Sequence, residues 1–76
     1  MTDSEIDDVI LTVVETRWHK VARIIIDAAK RLGSRLPGGD EGHEMIGRRI
    51  GVLVDDGRLV AQGDVEKWRH SEVRLP

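Results

Sequence analysis

Ile6, Val9, Ile10, Val13 and Val14 recur at the three- and four-residue spacing of one helical face, with Glu5, Asp8, Thr12 and Glu15 opposite them. Thr2 followed by Glu5 has the form of a capping box, with Asp3 and Ser4 as rival caps. The acids of that first turn also suit the positive end of a helix dipole. The spacing predicts a helix over 3–16. After a break at Thr16-Arg17, a second stripe runs through Trp18, Val21, Ala22, Ile25, Ala28, Ala29 and Leu32. It predicts a helix over 19–32, with Trp18 as a core anchor and Gly33 just past the end. Gly33 to Gly39 reads as a loop with one apolar anchor, Leu36.

Asp40 is placed to cap a third helix whose inner face is Ile46, Ile50, Leu53 and Val54, while Glu44, Arg48, Gly51 and Asp55 face away. Gly57 ends it. Beyond Gly57 the period changes to two: Leu59 and Ala61 alternate with Arg58, Val60 and Gln62, and Val73 and Leu75 with Glu72 and Arg74. Two strands on either side of a Gly63–His70 connection complete the pattern. The order predicts a single α+β domain over 1–76, winged-helix-like, with three helices followed by a C-terminal two-stranded antiparallel hairpin. The small first strand usual in such folds would have to come from around Arg17-Trp18.

Length sharpens this picture. A chain of 76 residues buries only about 60% of its unfolded surface, so its core is thin. With no cysteine there is no disulfide staple and no thiolate site. The first residues lack a positively charged leader, and the longest apolar runs, Val9-Ile10-Leu11 and Ile24-Ile25-Ile26, are far short of a membrane span. The expected setting is therefore cytoplasmic, with no membrane contact.

Charge changes the picture more. The net charge is −2, without the basic excess common in strong nucleic-acid binders. Residues 1–16 carry five acids and no base, whereas 17–36 carry six bases against Asp27 alone. Residues 37–57 are again acidic, with five acids against Arg48 and Arg49. An acidic first helix beside a basic second one reads first as two solvated faces that complement each other.

No catalytic set can be assembled. His43-Glu44 begins a zinc-protease pattern, but position 47 is Gly, and His19, His43 and His70 have no ligand spacing. Ser34 to Gly39 lacks the Gly-Lys-Ser/Thr of a phosphate loop. Asp55-Asp56-Gly57 reads as a tight helix exit. The expectation is a non-enzyme with no cofactor, metal or small-molecule ligand.

Interaction signals are clearer. Gly47 and Gly51 stand four apart on one flank of the third helix, where each costs about 1 kcal/mol of helix propensity relative to Ala. Close approach of another backbone, from this chain or from a partner, would account for both. Trp68 sits in the connection, either folded back to close the core or projecting as a contact residue. These three residues nominate a protein-interaction or homodimerisation module. The alternative is a DNA-binding winged helix using Lys20, Arg23, Arg48, Arg49 and Arg69. Against it stand a long turn between the second and third helices and the acids Glu44 and Asp55 beside Arg48.

The stretches Asp56-Gly57-Arg58-Leu59-Val60-Ala61-Gln62-Gly63-Asp64 and Trp68-Arg69-His70-Ser71-Glu72-Val73-Arg74-Leu75-Pro76, with Trp18-His19-Lys20-Val21-Ala22 earlier, carry a resemblance over nearly the whole chain. The sequence resembles a bacterial family known as domain of unknown function 3658, whose pattern is Gly-x-Leu-x-Ala-Gln-Gly-Asp closed by Ser-Glu-Val-Arg-Leu-Pro. In some members this pattern ends a larger protein. The resemblance implies no activity and no catalytic residue. Independently of it, Gln62, Ser71 and Glu72 are suited to hydrogen-bond the connection into a fixed shape.

Overall fold

The capping box forms as expected. In the computed structural model, which describes all 76 residues, Thr2 Oγ1 accepts from the Glu5 amide at 3.2 Å while Glu5 Oε1 accepts from the Thr2 amide at 3.2 Å. Helix α1 runs Asp3–Val13, three residues shorter than the spacing predicts. Val14 turns extended and is itself buried (3% exposed). The next residue, Glu15, accepts the Leu75 amide at 2.8 Å. Burial of Val14 and this long-range hydrogen bond pull the chain out of the helix and along the sheet.

The two residues before the second helix are the strand β1, His19–Lys20, and α2 runs Val21–Leu32. The expected first strand therefore exists, two residues later than Arg17-Trp18, and the helix starts two residues late as a consequence. Trp18 is outside α2 and 37% exposed, so it is not a core anchor; the Arg74 guanidinium lies 5.0 Å from its ring centroid. The buried stripe of α2 is instead Val21, Ile24, Ile25, Ala28 and Leu32.

A 3-10 turn, Gly33–Arg35, leads to α3, Gly39–Asp55. Gly38 rather than Asp40 occupies the N-cap and provides no side-chain hydrogen bond; Asp40 and Glu41 act as first-turn acids. Strands β2 (Val60–Gln62) and β3 (Glu72–Arg74) follow, joined through a second 3-10 turn, Trp68–His70. The sheet has three strands, not two, in the order β1-β3-β2, antiparallel throughout. The registers are His19↔Val73 and Lys20↔Glu72 on one side, and Val60↔Arg74, Ala61↔Val73 and Gln62↔Glu72 on the other.

This α1-β1-α2-α3-β2-β3 order, with the last strand in the middle, is a winged-helix-like α+β fold. The core draws Ile6, Ile10 and Val14 from the first segment, the α2 stripe, Ile46, Ile50 and Leu53 from α3, and Leu59 and Val73 from the hairpin. The connection between β2 and β3 is held in shape by its own polar groups. Gln62 Nε2 donates to Glu72 Oε1 at 2.6 Å, and Ser71 Oγ, fully buried, donates to the Lys67 carbonyl at 2.8 Å. Gly63 takes φ 82°, and a Cβ there would lie 2.7 Å from the His70 carbonyl oxygen, so the closure of this turn requires glycine. No helix is long and apolar enough to cross a membrane.

Candidate interaction site

Helix α3 has two working flanks, and the adjacent residues Arg48 and Arg49 mark them. Arg49 turns inward toward α1. Its Nε and Nη2 donate to the two carboxylate oxygens of Asp7, both at 2.9 Å, and its Nη1 reaches Asp3 Oδ2 at 3.4 Å. Asp7 is 8% exposed and the Arg49 side chain 23%. The side-chain hydrogen bonds to Asp7 hold the guanidinium above its ordinary pKa, opposed by desolvation and helped by the negative charges of Asp7, Asp3 and Asp56. Arg49 is thus an internal clamp between α1 and α3. It is not a side chain presented to nucleic acid.

The other flank forms a groove of about 660 Å³ between α3 and the β2–β3 connection. Its floor is Gly47, Gly51, Val52, Val65 and Trp68. The two glycines do different things there. A Cβ on residue 47 would lie 2.9 Å from Trp68 Cζ2 and 3.0 Å from its Nε1, so glycine lets the indole rest directly on the α3 backbone. At residue 51 the nearest atom is Val65 Cγ2 at 4.0 Å, so that glycine leaves open space. Of the two readings of Trp68, it folds back: it is half-buried and packs against the core, yet still lines the groove. The three residues nominated by the sequence, Gly47, Gly51 and Trp68, therefore meet at one place.

Four carboxylates surround this floor: Glu44 and Asp55 on α3, Asp64 and Glu66 on the connection, with Arg48 the one base. None of these five side chains makes an ion pair within the chain. Asp64 only accepts the Glu66 amide, at 3.0 Å, which shapes the turn. Five acids outside the groove behave differently. Asp3, Glu5, Asp7, Glu15 and Asp27 each lie within ion-pair distance of a base.

Three of the five bases that DNA contact would need have acids of this chain beside them. Arg49 is spent on α1, Arg48 stands among acids, and Arg23 pairs with Asp27 at 3.2 Å in a separate cleft beside Arg17 and Trp18. Lys20 and Arg69 are exposed, on β1 and on the second 3-10 turn. His19 is more enclosed than its charged neighbours suggest, with Nε2 buried, unbonded and 3.7 Å from Glu15 Oε1.

Two features escape sequence reading. Asp7 leaves no periodic trace, because its burial depends on an arginine 42 positions away. Asp64, Val65 and Glu66 enter the groove only because the connection folds back over α3; Gly63-Asp64 marked the turn but not its direction. Comparison with known family models, curated proteins and solved structures finds no match to this chain.

Proposed function

We propose that this domain is a non-catalytic protein-interaction module whose contact surface is the groove between α3 and the β2–β3 connection. The observation that carries the reading is the convergence of Gly47, Gly51 and Trp68 on one concave surface that exposed Val52 also lines. A depression with an aromatic floor and open backbone suits an inserted side chain, and tryptophan is prominent among residues that dominate binding energy. The winged-helix DNA reading has less behind it. The α3 face next to the wing carries Glu44 and Asp55 around Arg48, and carboxylates facing phosphates repel.

Homodimerisation through this same groove is also disfavoured on physical grounds. A two-fold dimer sets a surface against itself, which would bring Glu44, Asp55, Asp64 and Glu66 of two copies together. The better-supported partner is a different protein. The resemblance to the domain-of-unknown-function family is compatible with this reading and adds no chemistry to it.

The test is site-specific photo-crosslinking in cells. A photoreactive side chain at Val52, within the groove, should trap a partner in a discrete adduct. The same group at Ile26, exposed on α2, should not. Adducts confined to Ile26, or absent from both, would remove the groove as the contact surface.

A further inference from the structure

The groove is built for one sign of charge. We propose that its occupant is a cationic protein segment that places an apolar side chain on the Val52–Val65–Trp68 floor and basic side chains against the rim. This inference rests on the groove being the contact surface and adds the chemistry of what fills it. The floor offers apolar area and uncovered backbone at Gly51, where no side chain stands within van der Waals contact of a Cβ position except Val65 Cγ2 at 4.0 Å. The rim offers four carboxylates to one guanidinium, all without ion partners in the fold.

The gathering of four carboxylates and one base around a single groove makes the rim informative. Elsewhere the chain sets bases beside half of its acids: Arg17 and His19 stand near Glu15, Arg23 near Asp27, Arg35 near Glu5, and Arg49 near Asp3 and Asp7, while Asp8, Asp40, Glu41, Asp56 and Glu72 have no ion pair. Among the residues lining the groove the one base is Arg48, so the four carboxylates repel one another across it. A basic segment relieves that repulsion on binding; an acidic segment, a nucleic-acid backbone or a second copy of the same face adds to it. From Glu44 to Asp55 the helix rises about 16 Å. That length matches about five residues of an extended partner segment.

The experiment uses the full chain carrying Trp18→Phe, so that Trp68 is the sole indole. Its emission is followed while three short synthetic peptides are added separately: one of arginine and leucine, one of glutamate and leucine, one of arginine and serine. The expected result is a saturable change with the arginine–leucine peptide only, weakened about five- to tenfold by Glu44→Gln combined with Asp55→Asn, since each exposed pair contributes modestly. Equal binding of the glutamate–leucine peptide would overturn the charge assignment while leaving the groove as a contact surface. Equal binding of the arginine–serine peptide would overturn the apolar anchor. A response to duplex DNA with none to any peptide, or to dilution of the protein alone, would overturn the proposal in favour of nucleic acid or a second copy. The crosslinking at Val52 is read independently of all these outcomes, so a wrong ligand class and a wrong surface are told apart.

Discussion

Arg48 and Arg49 are neighbours on one helix, and they meet opposite surroundings. Arg49 faces a seam in which every charge has a counterpart: Asp7 takes two hydrogen bonds at 2.9 Å, and Asp3 stands behind it at 3.4 Å. Arg48 faces a groove in which four carboxylates have none. Both regions are acidic in the sequence, yet in one the acids act within the fold and in the other they face outward. A count of charges cannot separate these cases. What separates them is whether the fold brings a base within reach, and that is the difference between a surface that stabilises the domain and one left available to a partner.

The largest effect expected from this contrast is at Asp7. Replacing it by Asn leaves the Arg49 guanidinium partly buried with only the exposed Asp3 within ion-pair distance. The expected cost is about 2 kcal/mol, read as a shift in the urea midpoint or a fall of about 10 °C in Tm. Since the pKa of Arg49 is raised in the fold, its contribution is complete below the ordinary guanidinium range and is lost only as pH rises above it. The penalty should therefore be constant over about pH 6 to 10. In the groove, Glu44→Gln with Asp55→Asn should leave stability unchanged or raise it by a few tenths of a kcal/mol, because Asp55 opposes the dipole at the end of α3. Comparable losses at both places would erase the distinction between seam and groove.

A second comparison lies within the groove and should be smaller. Alanine at Gly47 gains helix propensity but drives a methyl into the indole of Trp68, 2.9 Å away. Displacing a half-buried tryptophan outweighs that gain, for a net loss of about 1 kcal/mol. The emission of Trp68 should move to the red. Alanine at Gly51 meets nothing closer than 4.0 Å, so it should stabilise by about 0.5–1 kcal/mol. Two glycines one turn apart, with the same spacing signal in the sequence, should thus give opposite signs by chemical denaturation. Gly51→Ala is the sharper variant, because any loss of partner binding it causes cannot be blamed on unfolding.

How much of this was legible follows from how local each cause is. The helices and the hairpin could be read because their periods, 3.6 and 2, are written in neighbouring residues. The strand β1 could not be delimited, because two residues have no period and are strand only through pairing with β3, some fifty positions later. Trp18 was misplaced for a related reason: it sits at helical spacing from Val21 and Ala22, and only that pairing shows that the helix has not begun. Gly47, Gly51 and Trp68 could each be singled out, since glycine in a helix and tryptophan in a connection are costly or rare. Their meeting depends on the second 3-10 turn, and neither Asp7 nor the acids of the connection announce what they will face.

The smallest effect tests whether the connection is a fixed wall of the groove. Gln62 Nε2 donates to Glu72 Oε1 at 2.6 Å across the β2–β3 pair, on an exposed surface. Gln62→Ala should therefore cost only about 0.5 kcal/mol globally. Its consequence should be concentrated in the segment it closes, where the Lys67 amide donates to the Asp64 carbonyl and the His70 amide to the Lys67 carbonyl, both at 2.9 Å. Hydrogen exchange at those two amides should quicken several-fold more than at amides of α1 or α3. If exchange rises evenly through the domain, the pair contributes to overall stability alone. If it rises only in the connection, the hydrogen bond holds Val65 and Trp68 over α3, and the groove owes its shape to a contact that lies outside its own lining.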